Sequence, residues 1–196
     1  MVDAGEAEGP AHCKKDVETR RRELLQKVLP SLLEHYTSLD GEGMTTVLSE
    51  GASHLAHLLC ETVSAAAELD ALTEEQATTL AQSVAAACLS QVRDERMSDD
   101  EEEASSKLLL AVPARQRLVK ALLRTPLCLH LAPLLTETLL LPESLQNKPQ
   151  CFLLLSILES EHADASLQKS LKKSLKKLRE HIVVDALKNA LSKKNK

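Results

Sequence analysis

Five side chains of the kind that bind metals or move protons fall together in one stretch: Glu50, His54, His57, Cys60 and Glu61. Steps of i, i+4, i+7 and i+11 put both imidazoles and both carboxylates on one helix face, with His54-x-x-His57-x-x-Cys60 adding a soft ligand. The same geometry sets this face roughly opposite Leu48, Leu55 and Leu59, so it reads as a water-facing surface of Glu–His pairs rather than a metal site. Glu159-x-x-His162 is half of a di-iron carboxylate motif, but its second half is missing. Gly51-Ala52-Ser53-His54-Leu55 begins like a nucleophile elbow and lacks the last glycine and a preceding strand. Gly41-x-Gly43 stands alone, and neither His-Glu-x-x-His nor a phosphate loop occurs. The expectation is a protein that is not an enzyme, with no catalytic residues, no metal and no cofactor.

Charge is the stronger signal. Residues 166–196 hold ten Lys or Arg against Glu180 and Asp185, a net +8, which leaves −13 for the rest (14 basic, 27 acidic). Leu167, Leu171, Leu175, Leu178 and Ile182 make one apolar stripe, Lys169, Lys172, Lys173, Lys176 and Lys177 are centred about half a turn away, and Arg179 follows them in the chain. These six cations are the candidate partner- or polyanion-binding residues. The favoured reading is a helix that closes the domain with its lysines solvated. The next is contact with nucleic acid or an import receptor through the doubled lysines. Membrane-surface binding is disfavoured, because no Trp or Phe anchors the apolar side. Without stacking aromatics, any nucleic-acid contact should be salt-sensitive and blind to sequence. After Ile182 the apolar stripe rotates to Val184, Leu187 and Leu191, so the helix should bend at Ile182-Val183-Val184 or lie between two surfaces.

The opposite charge collects in 94–106, with seven carboxylates against Arg96. Such a segment cannot pack and should be a solvated linker, with Ser98 a possible phosphorylation site for an acid-directed kinase. The linker would be placed to screen the basic end in cis.

The elements that must position these groups are helical. One Tyr, one Phe, no Trp and five Gly leave a core of Leu, Val and Ala, which suits close helix packing and excludes sandwiches and barrels. The expected fold is all-α, an irregular multi-helix bundle or short α-solenoid-like array of about six to eight helices. Residues 1–14 should be a disordered tail, 15–93 an N-terminal helical part, 94–106 the acidic linker, 107–162 a Leu-rich helical core, and 163–196 the basic amphipathic C-terminal helix with a short tail. In the first part, Leu25, Val28, Leu29, Leu32, Tyr36 and Leu39 stripe a helix from Asp16 to Leu39, which Pro30 should kink or divide. Asp40-Gly41-Glu42-Gly43 breaks it. A second helix spans Thr45 to Leu69 with Leu48, Ala52, Leu55, Leu59 and Val63 inside, and a third opens at the Thr73–Gln76 capping box. In the Leu-rich part, Thr125-Pro126 should cap a helix kinked at Pro133, with His130, Pro133 and Glu137 as its one wet face.

Cys13, Cys60, Cys88, Cys128 and Cys151 are odd in number and set among apolar neighbours, so they read as reduced core residues. No signal region and no apolar run near the roughly 18 residues of a spanning helix occurs. The chain is expected in the nucleus or cytoplasm, neither secreted nor transmembrane. The functional expectation is a non-enzymatic protein–protein interaction module, a scaffold, adaptor or subunit that meets its partner through Leu-rich helical faces. The alternative is a nuclear protein contacting nucleic-acid phosphates through the basic helix.

Overall fold

A computed structural model describes residues 16–48, 53–93, 106–108 and 113–192. Helix α1, Val17–Ser38, starts where Asp16 accepts hydrogen bonds from the Thr19 N–H (2.9 Å) and hydroxyl (2.6 Å). Those two donors also hold the Asp16 carboxyl below its ordinary range. Pro30 lies inside α1 and does not divide it. The buried face runs through Leu29, Leu33 and Tyr36, with Leu32 and Leu39 half-buried. Val28, expected inside, is exposed, because the face that meets α3 is centred one position further round.

The glycine break after α1 is also a helix start. α2, Gly41–Leu48, opens with the Asp40 carboxylate accepting from the Gly43 N–H at 2.8 Å, the geometry of an N-cap. At Gly41 a Cβ would come 3.1 Å from the Ala86 Cβ, so this position lets α2 sit hard against its neighbour. The single helix expected over Thr45–Leu69 is two, α2 and α3 (Ser53–Glu68). Leu48, Leu59 and Val63 are buried as expected, Leu55 is exposed, and Ala52 lies outside the described residues. α3 ends where Asp70 takes φ 52 and the Ala71 N–H reaches back to the Ala66 carbonyl at 2.8 Å. The Thr73–Gln76 capping box opens α4, Glu74–Leu89: Gln76 N–H donates to Thr73 Oγ1 (3.2 Å) and Thr73 N–H to Gln76 Oε1 (3.1 Å).

Two three-residue strands, β1 (Gln91–Arg93) and β2 (Ser106–Leu108), pair antiparallel with Val92 opposite Lys107. They flank the acidic stretch, of which 94–105, Ser98 included, lies outside the described residues. A two-stranded ribbon builds no layer, and the all-α class holds. Six helices follow: α5 (Pro113–Leu122), α6 (Cys128–Leu139), α7 (Pro142–Gln146), α8 (Lys148–Glu159), α9 (Ala165–Lys177) and α10 (Asp185–Ser192). That makes ten α-helices among the described residues, more than the six to eight expected. The excess arises where the expected second helix is two, where Pro142 opens the short α7, and where the C-terminal helix breaks. Thr125-Pro126 does not cap α6. The Thr125 hydroxyl turns back to the Leu122 carbonyl (2.7 Å) and closes α5, and α6 starts at Cys128 without a side-chain cap.

α4 packs against both α2 and α6, α3 joins α1 to α5, and α8 is covered by α5, α6, α7 and α10. The principal core runs from Tyr36 to Leu191 and crosses from the N-terminal to the C-terminal helices, while Leu29, Leu33, Ala65 and Ala66 form a second small cluster between α1 and α3. In α6, Cys128, Leu131, Ala132, Leu135 and Leu139 are inside. Its outer face is wider than the expected strip, because Leu129 and Leu134 join Pro133 and Glu137 in solvent.

Candidate functional site

Asp164 caps α9 by accepting from the Leu167 N–H at 2.9 Å, and the Ser166 hydroxyl adds a second bond. The Ser166 hydroxyl first and the Leu167 N–H second hold the Asp164 carboxyl below its ordinary range. Gln168 fixes the helix in rotation, its side-chain N donating to the carbonyls of Ile157 (3.1 Å) and Ser160 (2.8 Å) at the end of α8. Leu171 and Leu175 then point inward and are buried. Lys169, Lys173, Lys176, Lys177 and Arg179 are exposed, with Lys172 half-buried. Lys176 and Lys177 in the last turn also complement the negative end of the helix dipole.

The rotation of the apolar stripe is resolved by breaking the helix. α9 stops at Lys177, a 3-10 turn takes Arg179–His181, and Ile182 to Val184 leads into α10. Ile182, Val184, Leu187 and Leu191 are all buried, so both stripes find the core and Val183 alone of the triplet faces out.

The helix-two stripe comes out as surface: His54, His57 and Glu61 are exposed and Glu50 lies outside the described residues. Gly51 and Ala52 lie outside them too, and Gly41-x-Gly43 is the first turn of α2. Glu159 and His162 are exposed at the end of α8 and the turn after it. Among the described residues, no three His, Cys, Asp or Glu side chains group as metal ligands would, and no helix is long and apolar enough to cross a membrane. His130 ties α6 to α4 instead, with Nε2 3.6 Å from Glu74 Oε2 and Nδ1 3.4 Å from Thr78 Oγ1.

Cys60, Cys88, Cys128 and Cys151 are buried and free, while Cys13 lies outside the described residues. Burial, with a smaller push from the Glu61 charge, raises the Cys60 thiol to about 11; burial alone raises Cys88 to about 12. Thiols held protonated in this way are poor nucleophiles.

Two surface features had no counterpart in the sequence patterns. The first half of α1 stands clear of the body: from Asp16 to Val28 no side chain is buried and only Leu25 is half-buried. Val17, Leu24 and Val28 are 73%, 64% and 48% exposed. The Glu18 carboxylate, 3.4 Å from Arg21 Nη1, adds a local ion pair to this overhang.

The second feature is a cleft of about 320 Å³ between α5 and α8, lined by Lys120, Arg124, Ser156, Glu159, Ser160 and Glu161. At its edge Phe152, the single phenylalanine, is 40% exposed with the Lys120 ammonium 5.9 Å from its ring centre. These residues are 28 or more positions apart in the chain on either side of α6 and α7, so only tertiary packing unites them.

A family model described as CPL (NUC119) domain matches residues 2–128, well over half of the chain. The chain matches no curated protein and no solved structure.

Proposed function

The chain belongs to the CPL (NUC119) domain family, and we propose that it serves as a non-enzymatic helical interaction module, an adaptor or subunit of a larger assembly in the nucleus or cytoplasm. The observation that carries this reading is the α1 overhang. A helix that keeps Val17, Leu24 and Val28 in water forgoes about 25 cal/mol for every Å² of apolar surface a partner would cover. Burial of a few such side chains at the centre of an interface supplies most of its affinity.

The test is affinity purification of the wild-type chain beside a Leu24→Asp, Val28→Asp variant. Both positions are exposed, so the variant should keep the wild-type stability to within about 0.5 kcal/mol. The expected result is loss of a stoichiometric partner from the variant. Equal recovery of the same partner by both proteins overturns the assignment to α1.

A second reading rests on the face of α9, where Leu171 and Leu175 are buried and Lys169, Lys173, Lys176 and Lys177 face out. That face fits the phosphates of a nucleic acid or the acidic groove of an import receptor. Retention on heparin is expected to collapse above roughly 0.3 M salt, as counterions displace the lysines. A Lys172→Gln, Lys173→Gln, Lys176→Gln, Lys177→Gln variant should elute earlier at any salt; co-elution with wild type removes this reading.

A further inference from the structure

Among the described residues, the two cations that line the α5–α8 cleft, Lys120 and Arg124, have no carboxylate partner. Arg117, Lys120 and Arg124 recur at i, i+3 and i+7 along α5 and the turn after it, and Lys148 opens the neighbouring α8. None of the four makes an ion pair with a carboxylate among the described residues, although Glu159 and Glu161 line the same cleft as Lys120 and Arg124. The two serines are already committed. Ser156 Oγ donates to the Phe152 carbonyl at 2.8 Å and Ser160 Oγ to the Leu123 carbonyl at 2.9 Å. An incoming anion would therefore meet the ammonium and guanidinium groups, with the ring of Phe152 beside them as the one large apolar contact.

We propose that this cleft docks a short acidic peptide segment of a protein partner. Carboxylates of the segment pair with Lys120 and Arg124, and one apolar side chain lies against Phe152. A separate surface from the α1 overhang is involved, so the two assignments stand or fall independently.

Two features favour a peptide over a nucleic acid. The face of Phe152 on which a base would stack already carries the Lys120 ammonium. Glu159 and Glu161 also line the cleft. A phosphate backbone, negative at every residue, would have to pass these two carboxylates, whereas a peptide can place a neutral or basic residue there.

The experiment is a fluorescence-anisotropy titration of the full chain with a labelled glutamate-rich peptide carrying one central leucine, at low ionic strength. A Lys120→Glu, Arg124→Glu variant should weaken binding at least about tenfold, mainly through a faster off-rate. Phe152→Ala should weaken it to a smaller extent, and Glu159→Gln, Glu161→Gln should tighten it. Should the charge-reversal variant fold poorly by circular dichroism, Lys120→Gln, Arg124→Gln carries the same expectation. Three outcomes overturn the proposal. One is unchanged affinity in the cleft variants, or loss only on changing Lys172 and Lys173 of α9. Another is cleft-dependent binding of single-stranded oligothymidylate in place of the peptide. The third is peptide binding that appears only once Asp99 to Glu103 are changed to amides, which would make the chain's own acidic run the occupant.

Discussion

Replacing Leu131 with alanine is expected to lower the free energy of unfolding by about 3 to 5 kcal/mol. Leu134→Ala, three positions along the same helix, should cost less than about 1 kcal/mol. Leu131 has no exposed surface and belongs to the principal core, whereas Leu134 is 41% exposed. The large value follows from how this core is built. Neither Trp nor Phe is among its buried residues, so leucines from α4, α6 and α8 fill the space by interlocking branched ends. A hole opened in the middle of three helices has little means of closing, since backbones already packed at close range cannot move inward without disturbing their other contacts. Equilibrium urea unfolding measures the pair. Similar losses at both positions would mean that α6 does not present the face described.

The buried thiols give the second large effect, and it depends on pH. Burial lifts the Cys88 thiol from its ordinary 9.0 to about 12 in the folded chain. Below pH 9 the thiol is protonated in both states and stability is indifferent to it. Above pH 9 the unfolded chain releases the proton while the folded chain keeps it. The folded state therefore loses ground steadily from about pH 9 to about pH 12. At about 1.4 kcal/mol per unit, the loss at the upper end is on the order of 4 kcal/mol for this one residue. Cys60, raised to about 11 by burial and the nearby Glu61 charge, adds a smaller loss over the lower part of the range. Cys88→Ala should cost about 1 to 2 kcal/mol near neutral pH for the lost sulfur contacts and then become the more stable protein at high pH. Other titrating groups are common to both chains and cancel in the difference. Melting curves of the two proteins at intervals between pH 8 and 11 check the crossover. Parallel decline would show that Cys88 is not sealed from water.

Local signals were the readable ones. The Thr73–Gln76 box and the rotation of the apolar stripe at Ile182 each involve residues within a turn or two, and the structure uses both. The solvent-facing lysines of α9 were visible for the same reason, since face and counter-face lie in a single helix. Punctuation was harder to interpret. Asp40-Gly41 and Pro142 stop one helix and start the next with the same residues, while Pro30 and Pro133 sit inside helices that run on past them. Which outcome a proline meets depends on whether packing makes good the hydrogen bond it removes, and the neighbours doing so are distant in sequence. The exposure of Val28 in place of Leu33 turns on the angle at which α1 meets α3, which a stripe of either phase would satisfy. The α5–α8 cleft is the extreme case. Lys120 and Arg124 look like ordinary charges on a short helix, and Phe152 like a core residue of an apolar one, until the two helices are laid together.

The scarcity of aromatic rings has a practical consequence. Tyr36, 2% exposed, donates its hydroxyl to the Leu55 carbonyl at 3.2 Å, across the seam between the first long helix and α3. With no tryptophan anywhere in the chain and no other tyrosine, essentially all near-ultraviolet absorption and emission beyond 275 nm originates at that seam. The molecule thus comes with a single built-in optical reporter. Its signal follows the opening of α1 from α3 and is silent to events confined to the C-terminal helices, so spectroscopic and calorimetric transitions coincide only when the whole chain unfolds as one.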